Sequence, residues 1–367
     1  MNPGIDIFLS PQRYIQRKNI LEEAGSYLSP LGKRPFVVGD DIVFSKIRTP
    51  LVRSFREAGL DPHFERFGGE CDQAEVNRLT TLLSRGRWDI LVGTGGGKSL
   101  DTCRLVRADL QLPFVTIPTS SATCSAASAS AVLYENHIRK RVHNGNGADL
   151  TLVDPEVIAK APPRLFAAGL ADALAKWYEG RVVFEKIPKD IPSRISLELS
   201  EKARNLILDK GVEAFQDVKK GLCTPVVEEM IEVAILLTGI ISGLGSKMRV
   251  AGAHALYYGL GVLEETRQAF HGEIVGLGIL VQLLLEKREQ EVRPLMEFFA
   301  RLELPLTLGQ IGLGNVSLER LKLGLEVTCK EGSSIHNLPF PVQVKDLQEA
   351  LLTLDTWGKA LLDSPSP

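Results

Sequence analysis

Through about residue 155, short apolar runs alternate with stretches whose apolar positions recur every three to four residues. The runs at 35–40, 63–67, 89–92 and 114–118 predict strands, and the spacing at 49–59, at 75–84 and from 99 onward predicts helices. Strand and helix alternating in this way imply a parallel sheet covered by helices. From the double proline Pro162-Pro163 the texture changes, and the rest of the chain is nearly all helix-patterned. The expectation is α/β plus all-α, with an α/β domain over 1–158, a helical domain over 159–367 and a linker near 155–163. So short a linker predicts a well-defined cleft, and inter-domain clefts are common ligand sites.

Composition narrows the function classes. At 367 residues the chain is long enough for two cores, and its 44% hydrophobic and 24% charged content is ordinary for a globular protein. A net charge of −2 gives no electrostatic reason to bind nucleic acid or an acidic membrane. Arg139-Lys140-Arg141 is too short a basic run to change this and reads as a solvated loop. Five scattered cysteines without a CxxC pair fit a reducing cytoplasm rather than a disulfide framework or a zinc–cysteine site. The amino terminus lacks the apolar core of a signal peptide, and the longest apolar stretch, 274–285, is too short to span a bilayer. A cytoplasmic protein with a small-molecule partner is expected.

The chemistry begins at 90–105, ILVGTGGGKSLDTCRL, where three glycines and a lysine separate a strand from a helix. A P-loop needs glycine six residues before its lysine, where this chain has Val92. The spacing of Gly93, Gly95, Gly96 and Gly97 does not fit G-x-G-x-x-G either. One reading is a tight turn. The other is a pyrophosphate held by loop amides and the helix amino terminus, with Lys98 adding charge. Three adjacent glycines cost backbone entropy that a simple turn does not need, which favours the second.

GTGGGKSLD at 93–101 resembles the cofactor loop of the iron-containing alcohol dehydrogenase superfamily, in its glycerol dehydrogenase branch. FGGEC at 67–71, PTSSATCSAASASAVLY at 118–134, the segment 152–179, AGAHALYYGL at 251–260 and FHGEIVGLGIL at 270–280 extend the resemblance over nearly the whole chain. It implies a Rossmann-like amino-terminal domain and a carboxy-terminal helical bundle, the dehydroquinate synthase-like fold, with the active site in the cleft. It also implies a homo-oligomer.

Asp172 stands in a helical pattern among Ala168, Gly169, Ala175 and Lys176, and a close-packed carboxylate needs a partner. His254 lies among small apolar residues, and His271 follows seventeen residues later at the start of an apolar helix. Each histidine alone reads as a hydrogen-bonded core residue or a cap. One carboxylate and two imidazoles on three helices make a three-ligand site with an open position, suited to catalytic zinc or iron(II). The resemblance implies the same three residues as metal ligands.

For the cofactor, the resemblance implies contacts from Asp40. It places Gly95, Gly96, Gly97 and Lys98, with Asp101 closing the motif, at the pyrophosphate. Thr119 and Ala122 fall near the adenosine, and Ser128, Ser130 and Tyr134 nearer the nicotinamide. A carboxylate at Asp40 accepts bonds from ribose hydroxyls and repels a 2′-phosphate, which favours NAD over NADP. Which of Asp40 and Asp41 points inward is open from sequence.

Two positions depart from the glycerol dehydrogenase pattern and bear on the substrate pocket. Tyr257 stands where AHAxHNG has its second histidine, and a phenol does not titrate near neutrality as imidazole does. Cys124 falls where that branch places a polyol-binding aspartate. Together with 176–179 and Ser334-Ile335-His336-Asn337, Cys124 is more similar to the hydroxycarboxylate dehydrogenase subgroup. The expectation is therefore NAD(P)-linked interconversion of a 2-hydroxy acid and its 2-oxo acid, with glycerol oxidation to dihydroxyacetone as the alternative. A dehydroquinate synthase-like lyase would use a glutamate as first ligand, a glycerol-1-phosphate dehydrogenase would want extra cations, and a metal-free sensor would lack a ligand.

Overall fold

The computed structural model describes residues 8–136, 138–244 and 250–363. The chain divides into two compact units, Met1–Pro163 with Asp217–Gly243, and Arg164–Gln216 with Leu244–Pro367. In the first unit the strands are β1 (Tyr14–Gln16), β2 (Pro35–Gly39), β3 (His63–Arg66), β4 (Ile90–Gly95), β5 (Phe114–Pro118), β6 (Ser130–Glu135), β7 (Ile138–Asn144) and β8 (Leu150–Val153). Its helices begin with α1 (Ala24–Leu28), α2 (Asp41–Glu57), α3 (Gln73–Arg85), α4 (Gly97–Leu110) and α5 (Pro155–Ala159).

Six strands form a wholly parallel sheet in the order β1-β8-β5-β4-β2-β3. Alternate strand residues face opposite ways, and the sequence supplies apolar groups to both faces. Val37, Val92 and Val115 pack with Leu28, Ile47, Leu51 and Phe55 of α1 and α2. Phe36, Leu91 and Phe114 pack with Val76, Leu79, Leu83 and Val106 of α3 and α4. From β2 the chain steps outward to β3 and then returns to β4 on the other side of β2. That reversal is a topological switch point, and in open parallel sheets ligands bind there, at the carboxyl ends of the strands.

Two local expectations change. Arg139, Lys140 and Arg141 lie on β7, the exposed strand of an antiparallel hairpin with β6, rather than in a loop. α2 starts at Asp41, well before residue 49, because the Asp40 carboxylate accepts from Val43 N at 2.8 Å and caps the helix.

The chain continues through α6 (Pro163–Phe184) and α7 (Ile191–Lys219). α8 (Pro225–Glu232), a π-helical turn at Val233–Leu237 and α9 (Thr238–Gly243) then belong to the first unit, so the helical domain expected over 159–367 is interrupted. Gln16 donates to the Glu228 carbonyl at 2.8 Å and Leu9 N to the Gly243 carbonyl at 3.1 Å, and Val227, Met230, Ile231 and Ile235 are buried. The second unit resumes with α10 (Gly252–Leu260), α11 (His271–Leu285), α12 (Glu289–Arg301), α13 (Leu318–Cys329) and α14 (Val344–Asp363). Its described residues contain no strand. No helix of the described residues is long and apolar enough to cross a membrane.

Candidate metal centre and cofactor seat

Asp172, His254 and His271 come together in the second unit from α6, α10 and α11. One ligand atom from each lies within 4.8 Å of the other two. Asp172 Oδ1 is 3.3 Å from His271 Nε2 and 3.5 Å from His254 Nε2. Small residues make this convergence possible. A Cβ built on Gly272, beside His271, would stand 1.9 Å from the Ala168 carbonyl on α6, one turn before Asp172.

Asp172 and His254 are buried, whereas His271 is partly exposed, so the cluster is reached from the His271 side. Burial opposes ionisation of Asp172, but the Lys176 charge and hydrogen bonds from both imidazoles hold its carboxyl well below the usual range. Burial likewise works against a charged His254, and Glu179 and Asp172 offset it, taking the pKa up to about 9. A buried carboxylate between two imidazole nitrogens is an O,N,N donor set suited to zinc or iron(II). The residues therefore fit a divalent metal.

Sequence reasoning missed the residues behind the ligands. Glu179 is fully buried, and its Oε2 lies 2.5 Å from His254 Nδ1. Asp172, Lys176 and Glu179 follow a spacing of four and three, which puts them on one face of α6. That spacing was the available signal. Tyr257 presents its ring at 86° to His271, 4.3 Å between centroids. The Ser334–Asn337 turn serves the segment entering α10: Ser334 donates to the Ala251 carbonyl at 3.0 Å and Asn337 to that of Val250 at 2.8 Å.

The first unit gathers the cofactor candidates at its switch point. Asp40 follows β2, Gly95 ends β4 with Gly96 and Gly97 after it, and β5 ends at Pro118 beside Gly95, with Thr119 N donating to the Gly95 carbonyl at 3.1 Å. Asp41 is exposed and pairs with Arg66, so Asp40 is the inward one. Gly95 has φ +114°, a conformation that L side chains rarely adopt. α4 starts at Gly97 with no side-chain cap, leaving its first N–H groups for a ligand. A Cβ on Gly97 would come 3.1 Å from Thr123 Oγ1. The Ser99 and Ser121 hydroxyls are buried without a partner. Bare amides, a glycine cradle and orphaned hydroxyls fit a phosphate.

Other candidates have duties within the protein. Lys98 pairs with Glu70 at 2.8 Å and lies over the Tyr134 ring, so its charge is already matched. Asp101 does not present itself to a ligand, because Arg104, Ser125 and Val132 N donate to its two oxygens. Ser128 accepts from Ser130 N, and Ser130 donates to Asn144. Ala122 is half-buried on the loop between β5 and β6. Cys124 is buried, its Sγ 3.9 Å from Ser242 Oγ.

With this geometry in place, comparison with known proteins gives the class. The iron-containing alcohol dehydrogenase family matches residues 11–155. The glycerol dehydrogenase of Escherichia coli O6:H1 (strain CFT073) is 32% identical over 363 residues, 97% of this chain and 98% of that one. Glycolaldehyde reductase of Halobacterium salinarum is 34% identical over 364 residues, covering 97% and 99%. The crystal structure of a probable glycerol dehydrogenase from Sinorhizobium meliloti 1021 superposes with a TM-score of 0.88 at 32% identity, covering 96% and 99%. The chain belongs to the iron-containing alcohol dehydrogenase family and is an oxidoreductase acting on a CH–OH group.

Proposed function

We propose that the protein is a metal-dependent, NAD-linked dehydrogenase that interconverts a small alcohol bearing a neighbouring hydroxyl with its hydroxycarbonyl, as between glycerol and dihydroxyacetone. The observation that carries this reading is the Asp172–His254–His271 cluster. These three residues would hold the metal. Gly95, Gly96, Gly97, Ser99 and Ser121 would seat the cofactor pyrophosphate, and Asp40 its ribose. When bound, a divalent ion supplies Lewis acidity toward the substrate oxygen, and a nicotinamide accepts or returns the hydride. The protein's own part is to fix the ligands and present backbone amides to phosphate.

The full-length relatives named for glycerol and glycolaldehyde support the hydroxyl-bearing substrate over the 2-oxo acid expected from the sequence. One observation favours the 2-oxo acid as a second reading. Cys124 lies beside Ser242 at the position where the resemblance puts a polyol-binding carboxylate, and a site without that carboxylate does not repel an anionic substrate. We place the protein in the cytoplasm as a homo-oligomer, on the cysteine pattern and the family resemblance.

The test is oxidation of NADH and of NADPH by the metal-loaded protein with dihydroxyacetone, glycolaldehyde, 2-oxobutyrate and 2-oxoglutarate in parallel. NADH turnover with dihydroxyacetone or glycolaldehyde is expected. Turnover with the oxo acids alone would overturn the primary reading in favour of the second.

A further inference from the structure

α10 begins without a cap of its own. Ala251 occupies its N-cap position, and a methyl group accepts no hydrogen bond. The first four N–H groups of a helix have no partner within it, and burial makes each costly to leave unpaired. Two side chains from other helices take all four. Glu179 Oε1 on α6 accepts from Ala251 N at 2.6 Å and from His254 N at 2.9 Å. Gln282 Oε1 on α11 accepts from Gly252 N at 3.0 Å and from Ala253 N at 3.2 Å.

The same two residues bind the helices to one another. Gln282 Nε2 donates to the carbonyl of Tyr178, the neighbour of Glu179, at 2.8 Å. α6 carries Asp172, α10 carries His254 and α11 carries His271, so one polar knot fixes the three helices that bear the cluster. The second oxygen of Glu179 meets His254 Nδ1 at 2.5 Å. An ionised carboxylate only accepts, so Nδ1 carries a hydrogen, and when the ring gives up its other hydrogen to bind a cation the lone pair is the one on Nε2. Nε2 is the nitrogen that faces Asp172.

We propose that Glu179 is a positioning residue with two functions, capping α10 from outside together with Gln282 and holding His254 in the tautomer that offers Nε2 to a cation. The inference rests on the metal-centre reading and adds the residue that makes His254 a ligand. Partners of this kind orient metal-bound histidines elsewhere, and their loss weakens binding.

Glu179→Gln separates the two functions. Glutamine keeps an acceptor oxygen for the two backbone N–H groups, but its amide donates to Nδ1, which moves the ring hydrogen to Nε2. The variant should fold with an unchanged far-UV spectrum, and its zinc affinity by chelator competition should fall about 10–100-fold. Gln282→Met, which loosens the cap without touching the imidazole, should lower the melting temperature and leave the His254 tautomer unchanged. In zinc-loaded wild-type protein, ¹⁵N spectra should show His254 protonated at Nδ1 and bound through Nε2. This spectrum decides the matter even if Glu179→Gln does not fold. Equal zinc affinity in wild type and Glu179→Gln, or zinc on Nδ1, would overturn the assignment of Glu179 while leaving the metal centre intact. A wild-type protein that takes up no zinc would overturn the metal centre itself and this inference with it.

Discussion

Arg104 and Asp101, three residues apart on α4, form an ion pair 2.9 Å long with the guanidinium 1% exposed. Arg104 also donates to the carbonyls of Ser125 at 2.5 Å and Ser130 at 3.2 Å, while Asp101 accepts from the Ser125 hydroxyl at 2.6 Å. The helix that starts at the glycine loop is thereby tied to the segment carrying Cys124, Ser128 and Ser130. Removing one partner of a buried pair leaves the other uncompensated, at about 3–5 kcal/mol. Arg104→Met should therefore lower the unfolding temperature strongly. Asp101→Asn combined with it should cost less than the sum of the single changes, as differential scanning calorimetry can check.

The glycine cradle makes a separate prediction about the cofactor. Gly97→Val places methyl groups against Thr123 and into the space before α4. The KM for NADH should rise at least about tenfold, equivalent to about 1.4 kcal/mol. Metal content by atomic absorption should not change, because the ligands belong to the other unit.

Much of this site was legible in the sequence, and the reasons differ by residue. The strands at 35–40, 89–92 and 114–118 are apolar on both faces, so their runs stand out. Asp172, His254 and His271 stand out as polar groups among small apolar neighbours. Glu179 and Gln282 did not, because their roles depend on which helix amino terminus lies opposite, which periodicity within one helix does not encode. Asp101 and Lys98 sit in the glycine motif, yet each is matched by a partner distant in sequence, Ser125 and Val132 for one and Glu70 for the other. The return of 217–243 to the first unit was likewise invisible, since its apolar spacing is that of any buried helix.

We propose that Cys124 bears on substrate choice. Cys124→Asp introduces a carboxylate beside Ser242 at the place where the resemblance puts a polyol-binding group. The ratio of kcat/KM for dihydroxyacetone to that for 2-oxobutyrate should rise at least about tenfold, since a negative charge repels the acid. An unchanged ratio would remove Cys124 from the substrate pocket.

Acid stability has a defined sign at Asp89. Its carboxyl accepts from the Arg34 side chain and from the Lys33 and Arg34 backbone, which lower its pKa to about 2 from the model-compound value of 3.8. A depressed folded pKa contributes stability that is fully present above the unfolded value and is lost as pH falls through the folded one. Asp89→Asn should therefore be less stable than wild type at pH 7, and the gap in melting temperature should close between about pH 4 and pH 2.

The central claim is that Asp172, His254 and His271 hold a divalent metal on which hydride transfer depends. Its most direct measurement is NADH oxidation with dihydroxyacetone and with glycolaldehyde by chelator-stripped protein, before and after adding zinc or iron(II), with His271→Ala alongside. The account predicts that stripped wild type is inactive, that metal restores it, and that the folded variant neither binds metal nor recovers. Undiminished turnover by metal-free wild type, or full recovery of His271→Ala, would contradict it.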